Sequence, residues 1–271
     1  MDYATLTFEL DGPIGRLTLN RPQCLNAINP GMLDDLNSVW REIAAIRDCR
    51  VVIMTGAGDR GFCSGLDLKE AADLNSGFGE EGISGDSMFR GRRKFSGLIE
   101  MMRSCPQPVI AAVNGAAMGA GLSLALAADV RLASRNAKFC ASYINIGLGG
   151  ADMGSSYLLW RLVGWGRAAE LLMTGRVIEV DEAYRIGLVN HLYEQENLME
   201  EADAMAHRMI EKSPLALKLT KDALNAGLNV GSLGDALRME DRNQVLLMEN
   251  LYITGTLLPD SPPPGQKEDI R

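Results

Sequence analysis

The sequence predicts an α/β fold in which most strands pair in parallel. Two short apolar runs, residues 51–54 and 109–113, are typical of buried strands, and each leads through glycine into a segment of helical character. A further strand pattern at residues 130–133 follows the helix predicted over residues 120–128. Strands that alternate with helices in this way favour an α/β domain with much parallel pairing.

The N-terminal elements are predicted to be two strands and a helix. Residues 5–10 and 16–20 alternate apolar and polar side chains around a turn at Asp11-Gly12-Pro13. Asn29 and Pro30 have the character of an N-cap and a first helical residue. Apolar residues then recur at helical spacing and predict one buried face. These residues are Met32, Leu36, Val39, Trp40 and Ile43.

The middle of the chain contains a glycine-rich segment, residues 75–86, which we predict to be a mobile loop. The helix after it carries Phe95, Ile99 and Met102 on one face and ends before the prolines at 106 and 108. A basic run opens that helix, and such runs usually form a solvated face, although contact with a bound phosphate is the alternative. Its members are Arg90, Arg92, Arg93 and Lys94.

From about Glu194 onward the pattern is purely helical, with candidate helices at residues 198–211, 214–226 and 233–248. We therefore divide the chain into a core that carries the active site, residues 1–193, and a C-terminal helical region, residues 194–271. The proline-rich tail is expected to be an extended arm or a disordered end.

Composition excludes several classes of protein. The chain has 271 residues and a formal net charge of −8, which argues against nucleic acid as the main partner. No apolar stretch reaches the ~18 residues of a membrane span, so we expect no membrane insertion. The acidic N-terminus lacks a signal-peptide pattern, and five cysteines form no CxxC pair. A cytoplasmic location and no metal site are therefore expected.

The two glycine turns carry the strongest functional signal. The first contains Gly65 and Leu66, and the second contains Gly119 and Ala120. Either turn alone could be an ordinary turn. Together, at the ends of two strands in one α/β sheet, they could direct the N–H groups of Leu66 and Ala120 at one point. That arrangement is an oxyanion hole, which stabilises negative charge on a carbonyl oxygen.

These turns and several other pieces resemble the crotonase, or enoyl-CoA hydratase/isomerase, superfamily from about residue 5 to residue 243. The matching pieces are Leu17-Thr18-Leu19-Asn20-Arg21-Pro22, Leu25-Asn26-Ala27, residues 62–68, residues 108–121, Ala128-Asp129, Thr174-Gly175, Glu182-Ala183 and Gly187-Leu188-Val189. The resemblance implies a spiral of ββα units with a C-terminal helical oligomerisation region. It also implies a homotrimer or a dimer of trimers.

The resemblance further implies an acyl-CoA thioester as substrate, so that coenzyme A is part of the substrate and no separate cofactor is expected. Leu66 and Ala120 then occupy the oxyanion-hole positions, and residues 77–85 shape the acyl pocket. The positions that the resemblance places along the CoA groove are Leu25, Ala27, Ser64, Asp67 and Leu68. Gly65, Gly119, Ser123 and Tyr143 are further candidates for substrate binding.

The chain departs from the family at the two catalytic glutamates of its hydratases, where Ser123 and Tyr143 stand instead. Both can form hydrogen bonds, but neither is a good base near neutral pH. Asp152, in a glycine-rich turn, is the replacement candidate, with helix capping as the structural alternative. A single carboxylate favours double-bond isomerisation, since it can remove a proton and return it elsewhere. Enoyl-CoA hydration and catalytically weak acyl-CoA binding remain the alternatives.

Overall fold

The structure is a computed structural model that describes residues 3–70 and 85–254. Most of the glycine-rich loop predicted at residues 75–86, and the whole proline-rich tail, lie outside the described residues. Gly85 and Asp86 are described, and they begin a helix rather than end a loop.

Ten strands are described, and they form two sheets. Their bounds are β1 Leu6–Asp11, β2 Ile14–Leu19, β3 Val51–Gly56, β4 Gly61–Cys63, β5 Val109–Val113, β6 Ala116–Met118, β7 Val130–Ser134, β8 Lys138–Cys140, β9 Ile178–Glu179 and β10 His191–Tyr193.

The described residues also form nine α-helices. Their bounds are α1 Pro30–Ala45, α2 Gly85–Ser104, α3 Ala120–Ala127, α4 Ser155–Val163, α5 Trp165–Thr174, α6 Val180–Arg185, α7 Leu198–Ile210, α8 Pro214–Gly227 and α9 Leu233–Ile253.

The larger sheet has the strand order β1-β2-β3-β5-β7-β10, and the smaller has the order β4-β6-β8-β9. Strands β3, β5 and β7 pair in parallel in the larger sheet, while β4, β6 and β8 pair in parallel in the smaller one. Each strand of the first set is thus followed along the chain by its counterpart in the second. This repeated step confirms the predicted α/β spiral of ββα units.

The core lies on both faces of the larger sheet. On one face, Ile53, Ile110 and Leu132 pack with the apolar side of α7. On the other face, Met54 and Ala111 pack with the helices of the main cluster, α1 to α3 among them. Because both faces are covered, the central strands β3 and β5 are continuous apolar runs rather than alternating ones.

The predicted N-cap and buried face of helix α1 are both confirmed. The Asn29 side chain caps α1 by accepting a hydrogen bond of 2.8 Å from the Met32 N–H, and Pro30 opens the helix. All five apolar residues predicted for its inner face are buried.

The chain divides into two compact units, Met1–Glu211 and Lys212–Arg271. The first contains both sheets and α1 to α7, and the second contains α8 and α9. The oligomerisation role expected for residues 194–271 stays a prediction. In the described part of the chain, no helix has both the length and the apolar character needed to cross a bilayer. None of the five cysteines forms a disulfide bond, and the described residues contain no cluster suited to a metal ion.

Candidate active site

The two glycine turns lie against each other. Gly65 has a positive φ of 95°, and a Cβ atom added to it would lie 2.8 Å from the carbonyl oxygen of Met118 and 3.6 Å from the amide nitrogen of Ala120. A Cβ atom at Gly121 would lie only 1.9 Å from the carbonyl oxygen of Cys63. Glycine is therefore required at both positions, because the two backbones touch where other residues carry a side chain.

The N–H groups of Leu66 and Ala120 are left without acceptors by the surrounding backbone. The bonds that flank Leu66 run from Ile28 N to Gly65 O at 2.7 Å and from Asp67 N to Ile28 O at 2.9 Å. Ala120 is the first residue of α3, where the N–H groups have no partner inside the helix. Among the described residues, neither amide donates a hydrogen bond, so both remain available to a ligand.

Both amides border one pocket. Its lining consists of Ser64, Leu66, Leu68, Arg92, Phe95, Gly119, Ala120, Ser142, Tyr143, Ile146, Leu148, Asp152 and Met153. We call Gly65, Leu66, Gly119 and Ala120 the amide wall, and Arg92, Ser123, Tyr143 and Asp152 the acid wall. The structure thus brings the predicted amides and the predicted carboxylate to the same pocket, although the two lie far apart in sequence.

Five of the nine residues predicted to bind substrate or CoA lie outside this lining. Two of them, Gly65 and Ser123, adjoin residues of the lining, and the other three, Leu25, Ala27 and Asp67, make other contacts. The carboxylate of Asp67 pairs with Arg21 at 3.0 Å. The same guanidinium donates a hydrogen bond of 2.6 Å to the carbonyl oxygen of Ala27. The carbonyl oxygen of Leu25 accepts a bond of 3.0 Å from the N–H of Ser64. These contacts hold the loop before α1 against the amide wall, and contact with CoA stays a prediction for all three.

Ser123 and Tyr143, at the positions of the two missing glutamates, meet directly. Ser123 is fully buried, and its Oγ lies 2.8 Å from the Tyr143 hydroxyl oxygen and 3.2 Å from the carbonyl oxygen of Asp152. A serine hydroxyl has one proton. If Ser123 donates to the Asp152 carbonyl oxygen, Tyr143 must donate to Ser123, and neither proton is left for another acceptor.

Burial raises the pKa of Tyr143 well above its ordinary value, and the nearby Asp152 carboxylate raises it further, although the hydrogen bond with Ser123 partly offsets both effects. Tyr143 therefore stays protonated at neutral pH. It can donate a hydrogen bond, but it cannot serve as a base.

Asp152 does not cap the helix that follows it, contrary to the structural alternative. Helix α4 begins after Gly154, and no side chain caps it. The Asp152 carboxylate instead accepts hydrogen bonds through Oδ1 from Met153 N, at 2.8 Å, and from Arg92. The side chain is 18% exposed, so it is accessible from the pocket without being freely solvated.

Arg92 is the site residue that the sequence interpretation missed. The basic run was expected to form a solvated face, and Arg90, Arg93 and Lys94 do make exposed ion pairs. Arg92 instead enters the pocket, with Phe95 on the next turn. The signal was present in the sequence, because residues 92, 95 and 99 share the face of α2 already predicted to be buried.

Both histidines lie away from this pocket. His207 contacts the carbonyl oxygen of Asp203 within α7, and His191 lies in the exposed part of β10.

Comparisons with known proteins agree with this architecture. The family model described as Enoyl-CoA hydratase/isomerase matches residues 9–253. A Short-chain-enoyl-CoA hydratase of Clostridium acetobutylicum is 38% identical over 229 residues, which cover 84% of each chain.

Two solved structures are similar over most of their length. A monofunctional enoyl CoA isomerase from M. smegmatis is 35% identical, with a TM-score of 0.70, and the match covers 86% of this chain and 98% of that one. A protein of Thermobifida fusca YX, solved in complex with CoA, is 30% identical, with a TM-score of 0.82, and the match covers 92% and 94%. This chain is thus similar both to a protein named as a hydratase and to a protein named as an isomerase.

Proposed function

This chain belongs to the enoyl-CoA hydratase/isomerase family and is an enzyme of it, and from that premise we propose that it moves the double bond of an enoyl-CoA thioester. The observation that carries the proposal is the number of carboxylates in the pocket. Among the described residues that line it, Asp152 is the only acidic side chain. One carboxylate suffices to transfer a proton within the substrate, whereas addition of water generally requires a second group that orients the water.

The amide wall would hold the thioester carbonyl oxygen. The N–H groups of Leu66 and Ala120 would act as an oxyanion hole and donate to that oxygen, and the N-terminal end of α3 adds a favourable partial positive charge. The negative charge on the oxygen increases when the substrate becomes an enolate. The two donors therefore bind the enolate more tightly than the starting thioester, and that difference lowers the barrier.

Asp152 would transfer the proton. Its carboxylate takes a proton from C2 of a 3-enoyl-CoA, and the electron pair of that C–H bond moves into the thioester to form a dienolate. The protonated Asp152 then returns the proton to C4, and the double bond forms between C2 and C3. One proton has moved from C2 to C4, so the reaction needs no other reactant.

Ser123 and Tyr143 would support this step without exchanging protons. Ser123 holds the Asp152 backbone through its bond to the carbonyl oxygen. Tyr143 keeps its proton because burial raises its pKa, and it forms one side of the acyl pocket. Their positions thus favour a site that moves a proton with one carboxylate.

Hydration of a 2-enoyl-CoA is the second candidate function. It is favoured by the Clostridium acetobutylicum relative, which is named as a Short-chain-enoyl-CoA hydratase. The structure solved with CoA supports an acyl-CoA ligand under either reaction. We also expect a homotrimer or a dimer of trimers in the cytoplasm, and analytical ultracentrifugation would test the assembly.

The experiment supplies the purified protein with a 3-enoyl-CoA and, separately, with the matching 2-enoyl-CoA. Isomerisation converts the first into the second at constant mass, which liquid chromatography with mass spectrometry detects. Rapid gain of one water by the 2-enoyl-CoA, without any shift of the double bond, would overturn the proposal in favour of hydration. Tight binding of both thioesters without turnover would instead identify a weakly catalytic acyl-CoA-binding protein.

A further inference from the structure

Helix α2 supplies a charged partner to the carboxylate of the pocket. Arg92 and Asp152 form an ion pair, although 60 residues separate them in the sequence. Both side chains line the pocket, and they differ in exposure, with 48% for Arg92 and 18% for Asp152. The guanidinium thus reaches the carboxylate from the solvent side of the pocket.

The turn that carries Asp152 packs against the same helix. A Cβ atom on Gly154 would lie 3.3 Å from Cγ2 of Ile99, two turns along α2 from Arg92. Met153 adopts a positive φ of 45° and is almost fully buried in the main core cluster. A positive φ is uncommon for a side chain of this size, so surrounding contacts must hold the turn in place.

The hydrogen bonds on the Asp152 carboxylate are unequally distributed. Oδ1 accepts from Arg92 Nη2 and from Met153 N, whereas Oδ2 accepts no hydrogen bond within the described part of the chain. Holding one oxygen restricts rotation of the carboxylate and leaves the other oxygen for proton transfer. Arg92 cannot transfer the proton itself, because a guanidinium does not lose its proton in proteins.

We infer that Arg92 is a positioning residue for Asp152: it fixes Oδ1 so that Oδ2 meets the acyl chain. This inference rests on the proposed function, since it assigns Arg92 a task only if Asp152 moves a proton. It predicts that Arg92 affects the rate of proton transfer much more than the binding of the thioester. A positional error of about 1 Å in a catalytic group can cost on the order of 100-fold in rate.

Helix α2 also offers a matched control. Arg93 is the adjacent residue and carries the same charge, but it pairs with Glu100 at 3.3 Å, and both of those side chains are more than half exposed. Arg93→Ala therefore removes the same side chain from the same helix without touching the pocket.

The experiment measures turnover of a 3-enoyl-CoA by Arg92→Ala, Arg92→Lys and Arg93→Ala, with a thermal melt of each variant to verify folding. Arg92→Ala should lose roughly 10- to 100-fold in kcat while KM changes less than about threefold. Arg92→Lys should recover part of the loss. A low, non-denaturing concentration of guanidinium ion should accelerate Arg92→Ala, and Arg93→Ala should match the unaltered enzyme.

Two results would overturn the inference: equal turnover of Arg92→Ala and Arg93→Ala, or a loss in Arg92→Ala that lies mainly in KM. Asp152→Asn, assayed in parallel, separates this inference from the proposed function. If Asp152→Asn is inactive and Arg92→Ala is normal, only the role of Arg92 fails. If Asp152→Asn turns over normally, the proposed function fails, and the role of Arg92 fails with it.

Discussion

The amide wall and the acid wall belong to one site, but they present different kinds of groups. The first presents backbone N–H groups, and the second presents side chains. In the amide wall, backbone N–H groups are the atoms proposed to act on the substrate, and glycines at 65 and 121 let the two turns touch. In the acid wall, the atoms proposed to act belong to side chains, and Arg92, Ser123 and Tyr143 surround Asp152. Any residue except proline supplies an amide, whereas only a few side chains transfer a proton.

Because the groups differ, we expect the two walls to control different properties of the reaction. An amide wall that stabilises an enolate serves every reaction that passes through one. The acid wall determines which proton moves, and therefore which product forms. A change in the acid wall can alter the reaction without altering the fold, whereas a change in the amide wall should impair hydration and isomerisation alike.

The largest effect should follow from loss of the carboxylate. Asp152→Asn keeps the shape of the side chain but removes the base, so turnover of a 3-enoyl-CoA should fall by about 10²- to 10⁴-fold. Asp34→Asn is a suitable control, because Asp34 is an exposed carboxylate paired with Lys94 on α2. Steady-state kinetics tests this prediction, and turnover of Asp152→Asn equal to that of the control would remove Asp152 from the mechanism.

The next effect should come from the amide wall. In Gly65→Ala the new Cβ meets the Met118 carbonyl oxygen at 2.8 Å, and the φ of 95° is unfavourable for alanine. The displaced Leu66 amide should cost about 10²- to 10³-fold in kcat with every enoyl-CoA tested.

Gly97→Ala on α2 is the control for that substitution, since its Cβ would have no neighbour within 4 Å. Alanine is favoured over glycine inside a helix by about 1 kcal/mol, so this variant should melt slightly higher and stay fully active. Unchanged kcat in Gly65→Ala, with folding verified by a thermal melt, would contradict the role of the amide wall.

A smaller effect is expected from the serine that holds the Asp152 backbone. Ser123→Ala leaves the buried Tyr143 hydroxyl without its acceptor and removes one of the two donors to the Asp152 carbonyl oxygen, the other being the Ser155 N–H. The free energy of unfolding should fall by about 1–3 kcal/mol. Tyr143→Phe should cost less, because Ser123 can still donate to Asp152. Urea denaturation of both single variants and the double variant measures the coupling, and strictly additive losses would show that the two hydroxyls are independent.

The last effect is confined to alkaline pH and leaves the protein unaffected near neutral pH; it arises beside the amide wall. Burial raises the pKa of the Cys63 thiol to about 12 from an ordinary value of 9.0. The unfolded thiol thus loses its proton at lower pH than the folded one. The free energy of unfolding should therefore decline as the pH rises from 9 towards 12. Cys63→Ala should decline less steeply in urea denaturation, and parallel curves would show that the buried thiol contributes nothing.

Local patterns in the sequence predicted much of the fold. The apolar runs at β3 and β5 and the spacing of buried residues in α1 were recognised because each is several residues long. The strands of the smaller sheet were not identified, since β4, β6 and β8 have three residues each and β9 has two. A segment that short shows no period, and its strand character arises from pairing with a distant segment.

The residues of the candidate site also differ in whether neighbouring residues or distant contacts reveal them. Leu66 and Ala120 are predicted from glycine turns that are visible in a few consecutive residues, and both residues line the pocket. Arg92 was missed because its partner, Asp152, lies 60 residues away. Capping was a reasonable alternative for Asp152 from its neighbours alone, and it was excluded by a contact with α2 that those neighbours do not reveal.

Residue order alone therefore specified the longer strands of the larger sheet, several of the helices and the two glycine turns that carry the amides of Leu66 and Ala120. These follow from neighbouring residues, through periodicity and through the freedom of glycine. Folding in three dimensions decided that the amides share a pocket with Asp152, that Ser123 and Tyr143 bond to each other, and that Arg92 holds the carboxylate. Those contacts join residues far apart in the chain, and short hydrogen bonds and ion pairs form only when packing brings their atoms together.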